Sequence, residues 1–144
     1  MKQLLLLLLL FASINLSLTA QNDEYVGTYI NLWEFENGDV MKYELQINSD
    51  QSFTFHFYRN IICSVCKVEN KYGKGTWKVE NKIVYFTTNT SDLDAINILN
   101  FSGTSARLIM KSPRDSSDKV IPTALQFYKS NIFWIENLKI LKKE

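Results

Sequence analysis

Apolar and polar residues alternate with a period of two along much of the chain. In 41–47, Met, Tyr, Leu and Ile alternate with charged and polar residues, and in 53–57 every second residue is Phe. This spacing is typical of β-strands that bury one face. The polar segment 48–51 separates the two runs and predicts a turn, so we expect an antiparallel hairpin.

Further short apolar segments follow at similar intervals. Asn37-Gly38 predicts another turn, 76–79 and 82–86 predict a second hairpin, and five more strands are expected at 96–101, 106–110, 123–128, 132–135 and 138–141. About eight to ten strands indicate a sandwich or a closed barrel, and closure removes exposed sheet edges. We therefore predict an all-β, antiparallel barrel of about eight strands, with Phe55, Trp77 and Tyr85 in its core.

Two segments depart from this pattern. In 91–99, Ser91 suits a helix N-cap with Asp92 and Asp94 in the first turn, but a strand from Ala95 fits equally well. One short helix near 91–99 therefore stays an alternative. The 15 residues 60–74 show no strand pattern beyond two isoleucines, and a loop of that length is often functional.

The N-terminus predicts export. Lys2 is followed by seven consecutive leucines, and small and polar residues precede a cleavage point after Ala20. The run is too short for a transmembrane helix, which needs about 20 apolar residues, and no Cys stands before Cys63 to carry a lipid. We expect residues 1–20 to be a cleaved signal peptide and 21–144 to be a single secreted or periplasmic domain without an integral membrane segment.

Charge argues against nucleic acid as a partner. The 144 residues contain 16 Lys and Arg against 15 Asp and Glu, and Lys2 is the only charged residue in 1–20, so 21–144 is formally neutral. Nucleic-acid-binding proteins generally carry a clustered basic face. Here the basic residues are scattered, apart from three lysines near the C-terminus.

Two short motifs carry a family resemblance. Gly27-Thr28-Tyr29 resembles the Gly-x-Trp motif near the start of lipocalins, and Gly75-Thr76-Trp77 repeats it. Together with Asp50-Gln51-Ser52-Phe53-Thr54-Phe55, the chain is similar to small secreted lipocalin-like proteins of Bacteroidota-type bacteria. The resemblance implies a lipocalin-like barrel.

Cys63 and Cys66 form a Cys-x-x-Cys pair. A similar pair occurs in the barrel domain of envelope-stress lipoproteins implicated in copper resistance, but there it follows the first strand of a lipid-anchored protein. In an exported protein the pair favours a disulfide. Thiol exchange and a two-thiolate Cu(I) site stay open as alternatives.

No catalytic constellation stands out. His56 is the sole histidine and lies on the face opposite the three Phe of its strand, which predicts a solvent-facing residue. Asp92 and Asp94 offer too few ligands for calcium and are taken as a turn or cap. We expect no enzyme activity, no metal site and no cofactor.

The aromatic content, with nine Phe, seven Tyr and three Trp, suits either a filled barrel or a ligand cavity. The leading hypothesis is an exported binding protein for an apolar or amphipathic small molecule, with Trp77, Tyr85, Phe86 and Trp134 as candidate ligand contacts. The alternative is an envelope stress- or metal-responsive protein that engages a protein partner through the Cys63–Cys66 loop.

Overall fold

The computed structural model describes residues 22–144, so the predicted signal peptide lies outside the described residues. The described chain forms nine strands and one turn of 3-10 helix. The strands are β1 Gly27–Glu34, β2 Val40–Ile47, β3 Ser52–Asn60, β4 Glu69–Glu80, β5 Ile83–Thr87, β6 Asn97–Leu99, β7 Thr104–Ile109, β8 Ala124–Lys129 and β9 Lys139–Lys142, and the 3-10 helix is Thr90–Asp92.

Eight strands close into an antiparallel barrel, which confirms the predicted fold class. Each of β1 to β4 pairs with the next strand, β5 pairs with β7, and β7, β8 and β9 continue the sheet. Pairing of β9 with β1 completes the ring. The short β6 lies outside this ring and pairs in parallel with β4 at Tyr72 and Gly73. Within residues 22–144, no helix has the length and apolar character needed to cross a membrane.

The two ends of the barrel differ. We call the mouth the end at which β1, β3 and β8 finish and β2, β4 and β9 begin, and the base the opposite end. At the base, Trp77 is 3% exposed and its indole Nε1 donates a hydrogen bond of 2.9 Å to the Asn48 carbonyl in the β2–β3 turn. The Tyr25 ring, from the segment that precedes β1, lies 6.4 Å from the Trp77 ring.

Phenylalanine rings pack in the middle of the barrel. Phe53 lies 5.0 Å from Phe86 and 5.2 Å from Phe101, Phe55 lies 5.0 Å from Phe101, and Phe86 lies 5.7 Å from Phe127. All five are at most 2% exposed. The alternation predicted for β3 is thus confirmed, since its three phenylalanines face inward.

The prediction of a 15-residue loop at 60–74 is wrong, because β4 begins at Glu69. Two inward positions of this strand are Gly73 and Gly75, so the sequence shows no apolar alternation there. The barrel interior requires both glycines: a Cβ on Gly73 would lie 2.7 Å from the Phe101 ring, and one on Gly75 would lie 2.1 Å from the Thr87 carbonyl oxygen. Close packing therefore hid the strand from pattern analysis.

Phe101 reaches the core from the β5–β7 connection, where Thr88 fixes it. The Thr88 hydroxyl accepts a hydrogen bond from the Phe101 amide at 3.0 Å and donates one to the Lys74 carbonyl, also at 3.0 Å. Thr88 is itself 6% exposed, and these bonds satisfy its buried hydroxyl.

Segment 91–99, left open between helix and strand, contains elements of both kinds. A single 3-10 turn starts after Asn89, and β6 begins at Asn97. Asp92 accepts a hydrogen bond from the Asn89 amide at 2.8 Å, as a capping residue does. Asp94 accepts hydrogen bonds from the Ile96 and Asn97 amides, both at 2.8 Å. Both carboxylates therefore organise the connection, as the sequence predicted.

Two further expectations are wrong. Segment 132–135 is a turn in the β8–β9 connection, in which the Ile135 amide donates to the Ile132 carbonyl at 2.9 Å. The segment is apolar because Ile135 packs into the core and is fully buried. This apolar composition is what predicted a strand. Tyr85 lies on the outer face of β5, since its neighbours Val84 and Phe86 both face the core and side chains alternate along a strand.

Candidate functional site

A pocket of about 400 Å³ lies at the mouth of the barrel. It is built from the mouth ends of β2, β3 and β4 and from the β8–β9 connection. We call it the mouth pocket, and its lining residues are Met41, Tyr43, Phe57, Arg59, Glu69, Lys71, Phe133 and Trp134.

Three aromatic side chains form one wall of the mouth pocket. The Phe57 ring lies 5.1 Å from Tyr43 and 4.9 Å from Trp134, and Tyr43 and Trp134 are 6.0 Å apart. These separations fall within the range of favourable aromatic pairs. The Tyr43 hydroxyl donates to the Met41 sulfur at 3.3 Å. The wall thus offers an apolar contact surface with one polar group, the Tyr43 hydroxyl, at its side.

Burial alters the acidity of Tyr43. Removal from water raises the pKa of its phenol, and the nearby positive charge of Arg59 opposes this effect. Tyr43 therefore stays a neutral hydrogen-bonding group at physiological pH.

Three charged side chains line the mouth pocket on β3 and β4. Arg59 Nη2 donates to Glu69 Oε1 at 2.7 Å, and Lys71 Nζ lies 4.0 Å from Glu69 Oε2. The Lys71 ammonium also lies 6.0 Å from the Phe57 ring centre and 5.9 Å from that of Trp134. Both distances suit a cation–π contact, so the Lys71 charge is held against the aromatic wall.

Exposed apolar residues are numerous around the mouth. They lie at the end of β1, in the β1–β2 turn, in the β3–β4 loop and in the β8–β9 connection, and comprise Leu32, Trp33, Phe35, Ile62, Val65, Val68 and Phe133. Exposed apolar surface of this kind is frequently functional.

The cysteine pair lies in the β3–β4 loop at the mouth, outside the lining of the mouth pocket. Cys63 and Cys66 have Cα atoms 5.2 Å apart and their sulfurs are at disulfide distance. The loop is tied to the β1–β2 turn, since the Ile62 amide donates to Asp39 Oδ1 at 2.7 Å. Gly38, at φ +87°, leaves room for the Ile62 side chain, whose Cδ1 would lie 2.6 Å from an added Cβ.

Of the four predicted ligand contacts, the structure places one in the mouth pocket. Trp134 lines it, whereas Trp77 seals the base and Phe86 packs between Phe53 and Phe127. Tyr85 faces outward. The four side chains therefore do not converge on one site.

The charged residues of the mouth pocket were not predicted from the sequence. Arg59 continues the inward series of β3 by one step beyond Phe57, and Lys71 and Glu69 continue the inward series of β4 backwards from Trp77. Extending the period-two alternation past the last apolar residue would have found Arg59. The glycines of β4 concealed Lys71 and Glu69.

His56 lies on the outer face of β3, as predicted. Its ring stacks on Tyr72 with centroids 4.4 Å apart, and its Nε2 lies 2.8 Å from Asn70 Oδ1. Among residues 22–144, no group of three or more His, Cys, Asp and Glu is placed to hold a metal ion.

Comparisons with known proteins add no relative: no family model, no curated protein and no solved structure matches the chain.

Proposed function

We propose that this protein is an exported, non-enzymatic binding protein that holds a small apolar or amphipathic molecule in the mouth pocket. The observation that carries the proposal is the mouth pocket itself, whose volume of about 400 Å³ is walled by Tyr43, Phe57 and Trp134. Ligand sites in proteins are typically concave, of roughly 300 to 1,000 Å³, largely aromatic or apolar, with a few polar groups that fix orientation.

The packed middle of the barrel supports a ligand at the mouth rather than in the centre. Phe53, Phe55 and Phe101 occupy the space below the aromatic wall. A ligand would therefore rest on the Phe57 and Trp134 rings and stay partly open to solvent. The exposed apolar residues around the mouth would extend its contact surface.

The alternative, an interaction protein acting through the Cys63–Cys66 loop, has one supporting observation. Val65, between the two cysteines, is 86% exposed, and Ile62 and Val68 on either side are also exposed. That loop is compatible with a protein partner, but within residues 22–144 no third His, Cys, Asp or Glu is placed beside the two cysteines to complete a metal site. We therefore favour the mouth pocket.

Titration with N-phenyl-1-naphthylamine, a neutral fluorescent compound, tests the proposal. We expect saturable binding by the purified protein and displacement by a long-chain alcohol. Trp134→Ala should weaken binding because it removes part of the aromatic wall. Tyr85→Ala is the matched control, since it removes an aromatic ring from the outer face. Absence of saturable binding, or equal losses in both variants, would contradict the proposal.

A further inference from the structure

The mouth pocket carries one positive charge in excess. Its lining contains two cations, Arg59 and Lys71, and one carboxylate, Glu69. The carboxylate is engaged chiefly by Arg59, since the Arg59 Nη2 to Glu69 Oε1 distance is 2.7 Å, whereas Lys71 Nζ lies 4.0 Å from the other oxygen. Lys71 therefore supplies most of the excess charge.

Lys71 is placed to meet a ligand that contacts the aromatic wall. Its ammonium lies about equally far from the Phe57 and Trp134 ring centres, at 6.0 and 5.9 Å. Its side chain is 37% exposed, so the ammonium, which carries three hydrogen-bond donors and no acceptor, is accessible from the mouth pocket. An anion bound there would contact Lys71 while its apolar portion covers the two rings.

From this arrangement we infer that the ligand is an amphipathic anion, with a carboxylate, sulfonate or phosphate head group at Lys71 and Arg59 and an apolar body against Phe57 and Trp134. The inference rests on the proposed function and specifies its ligand class. A cationic ligand fits less well, because the excess positive charge of the mouth pocket repels it.

A matched pair of fluorescent compounds tests the inference. 8-Anilinonaphthalene-1-sulfonate has the same aromatic frame as N-phenyl-1-naphthylamine and adds one sulfonate. We expect the sulfonate to bind about tenfold more tightly, which corresponds to about 1.4 kcal/mol. This preference should shrink as NaCl is raised from about 0.1 M to about 1 M, because the screening length falls from about 10 Å to about 3 Å.

Two substitutions assign the preference to Lys71. Lys71→Met removes the ammonium and keeps an unbranched apolar stem, so it should weaken sulfonate binding about tenfold and thereby remove most of the preference for the sulfonate over N-phenyl-1-naphthylamine. Lys78→Met, on the outer face of the same strand, is the control and should change neither affinity. Glu69→Gln should act in the opposite direction, because it removes the one carboxylate of the mouth pocket and so raises the affinity for the sulfonate.

The outcomes separate the two proposals. Equal affinities for both compounds, unaffected by Lys71→Met and Glu69→Gln, would overturn the anionic ligand class and leave the binding function intact. Failure of both compounds to bind would remove the binding function itself. If Lys71→Met does not fold, Lys71→Arg and Glu69→Gln still decide, since the first should keep the sulfonate preference and the second should increase it.

Discussion

Two tryptophans of this chain should respond differently to truncation. Trp77 is 3% exposed at the base, contacts Tyr25 and donates a hydrogen bond to the Asn48 carbonyl. Truncating a buried Trp to Ala costs about 3 to 5 kcal/mol through lost transfer free energy and the cavity left behind. The lost hydrogen bond is part of this cost and contributes about 0.5 to 1.5 kcal/mol. Trp77→Ala should therefore lower the free energy of unfolding by about 3 to 5 kcal/mol.

Trp134 is only half buried, so its truncation removes less packing. Its ring contacts Phe57 and Tyr43 on one side and faces the mouth pocket on the other. We expect Trp134→Ala to cost about 1 to 2 kcal/mol, below the range for fully buried aromatic residues. Binding of N-phenyl-1-naphthylamine should fall in this variant, whereas a folded Trp77→Phe variant should keep the affinity because Trp77 lies at the opposite end of the barrel.

Urea unfolding followed by far-UV circular dichroism measures both changes without relying on the tryptophan signal. Because the dependence on urea should be unchanged, the shift in midpoint reports the change in stability. Trp77→Phe separates the contributions, since it keeps much of the ring volume and loses the indole hydrogen bond. A loss below about 1 kcal/mol for Trp77→Ala would refute its role in sealing the base. Loss of ligand binding in a well-folded Trp77→Phe variant would place the ligand at the base.

Two further predictions concern the loop and the core. Replacing both Cys63 and Cys66 with Ser should lower the free energy of unfolding by at most about 2 kcal/mol, because the ring they close is short. Ligand binding in the mouth pocket should be kept. Free thiols in the isolated protein, or stoichiometric Cu(I) binding after reduction, would favour the metal-responsive alternative. Burial raises the pKa of Tyr29 well above its usual value of 10, and its hydroxyl donates to the Tyr25 carbonyl at 2.8 Å. Since the folded state holds this proton more tightly, its contribution to stability is full below pH 10 and is lost above it, by about 1.4 kcal/mol per pH unit. Alkaline unfolding should therefore be less steep in Tyr29→Phe, and an unchanged slope would show that Tyr29 is not the group responsible.

The period-two alternation was sufficient to predict the class of fold. In 41–47 and 53–57 the inward residues are apolar and the outward ones polar, so the pairing of β2 with β3 and the direction each face points follow from the burial of one side of a strand. The same rule placed His56 on the outer face. The roles of Asp92 and Asp94 were also evident, because short carboxylates after a polar segment commonly accept backbone hydrogen bonds.

The alternation of apolar and polar residues does not reveal a strand where the residue type at a position depends on a neighbour that is distant in sequence. Gly73 and Gly75 are inward positions of β4. A larger side chain there would clash with the Phe101 ring or with the Thr87 backbone, and both of these come from other parts of the chain. The turn at Ile132–Ile135 contains residues typical of a strand because Ile135 caps the core from a connection. Local preference was overridden by tertiary packing at both places.

The sequence by itself therefore determined that apolar faces of many short strands must close around an aromatic core. Only the tertiary structure decided where that core ends and a pocket begins. Trp77 and Trp134 both lie within apolar segments of the sequence. The register of the barrel places Trp77 at the base and Trp134 at the mouth. Arg59 meets Glu69, and Lys71 meets Phe57, because these residues are direct partners in the pairing of β3 with β4. Strand pairing fixes neighbours that sequence separation does not reveal.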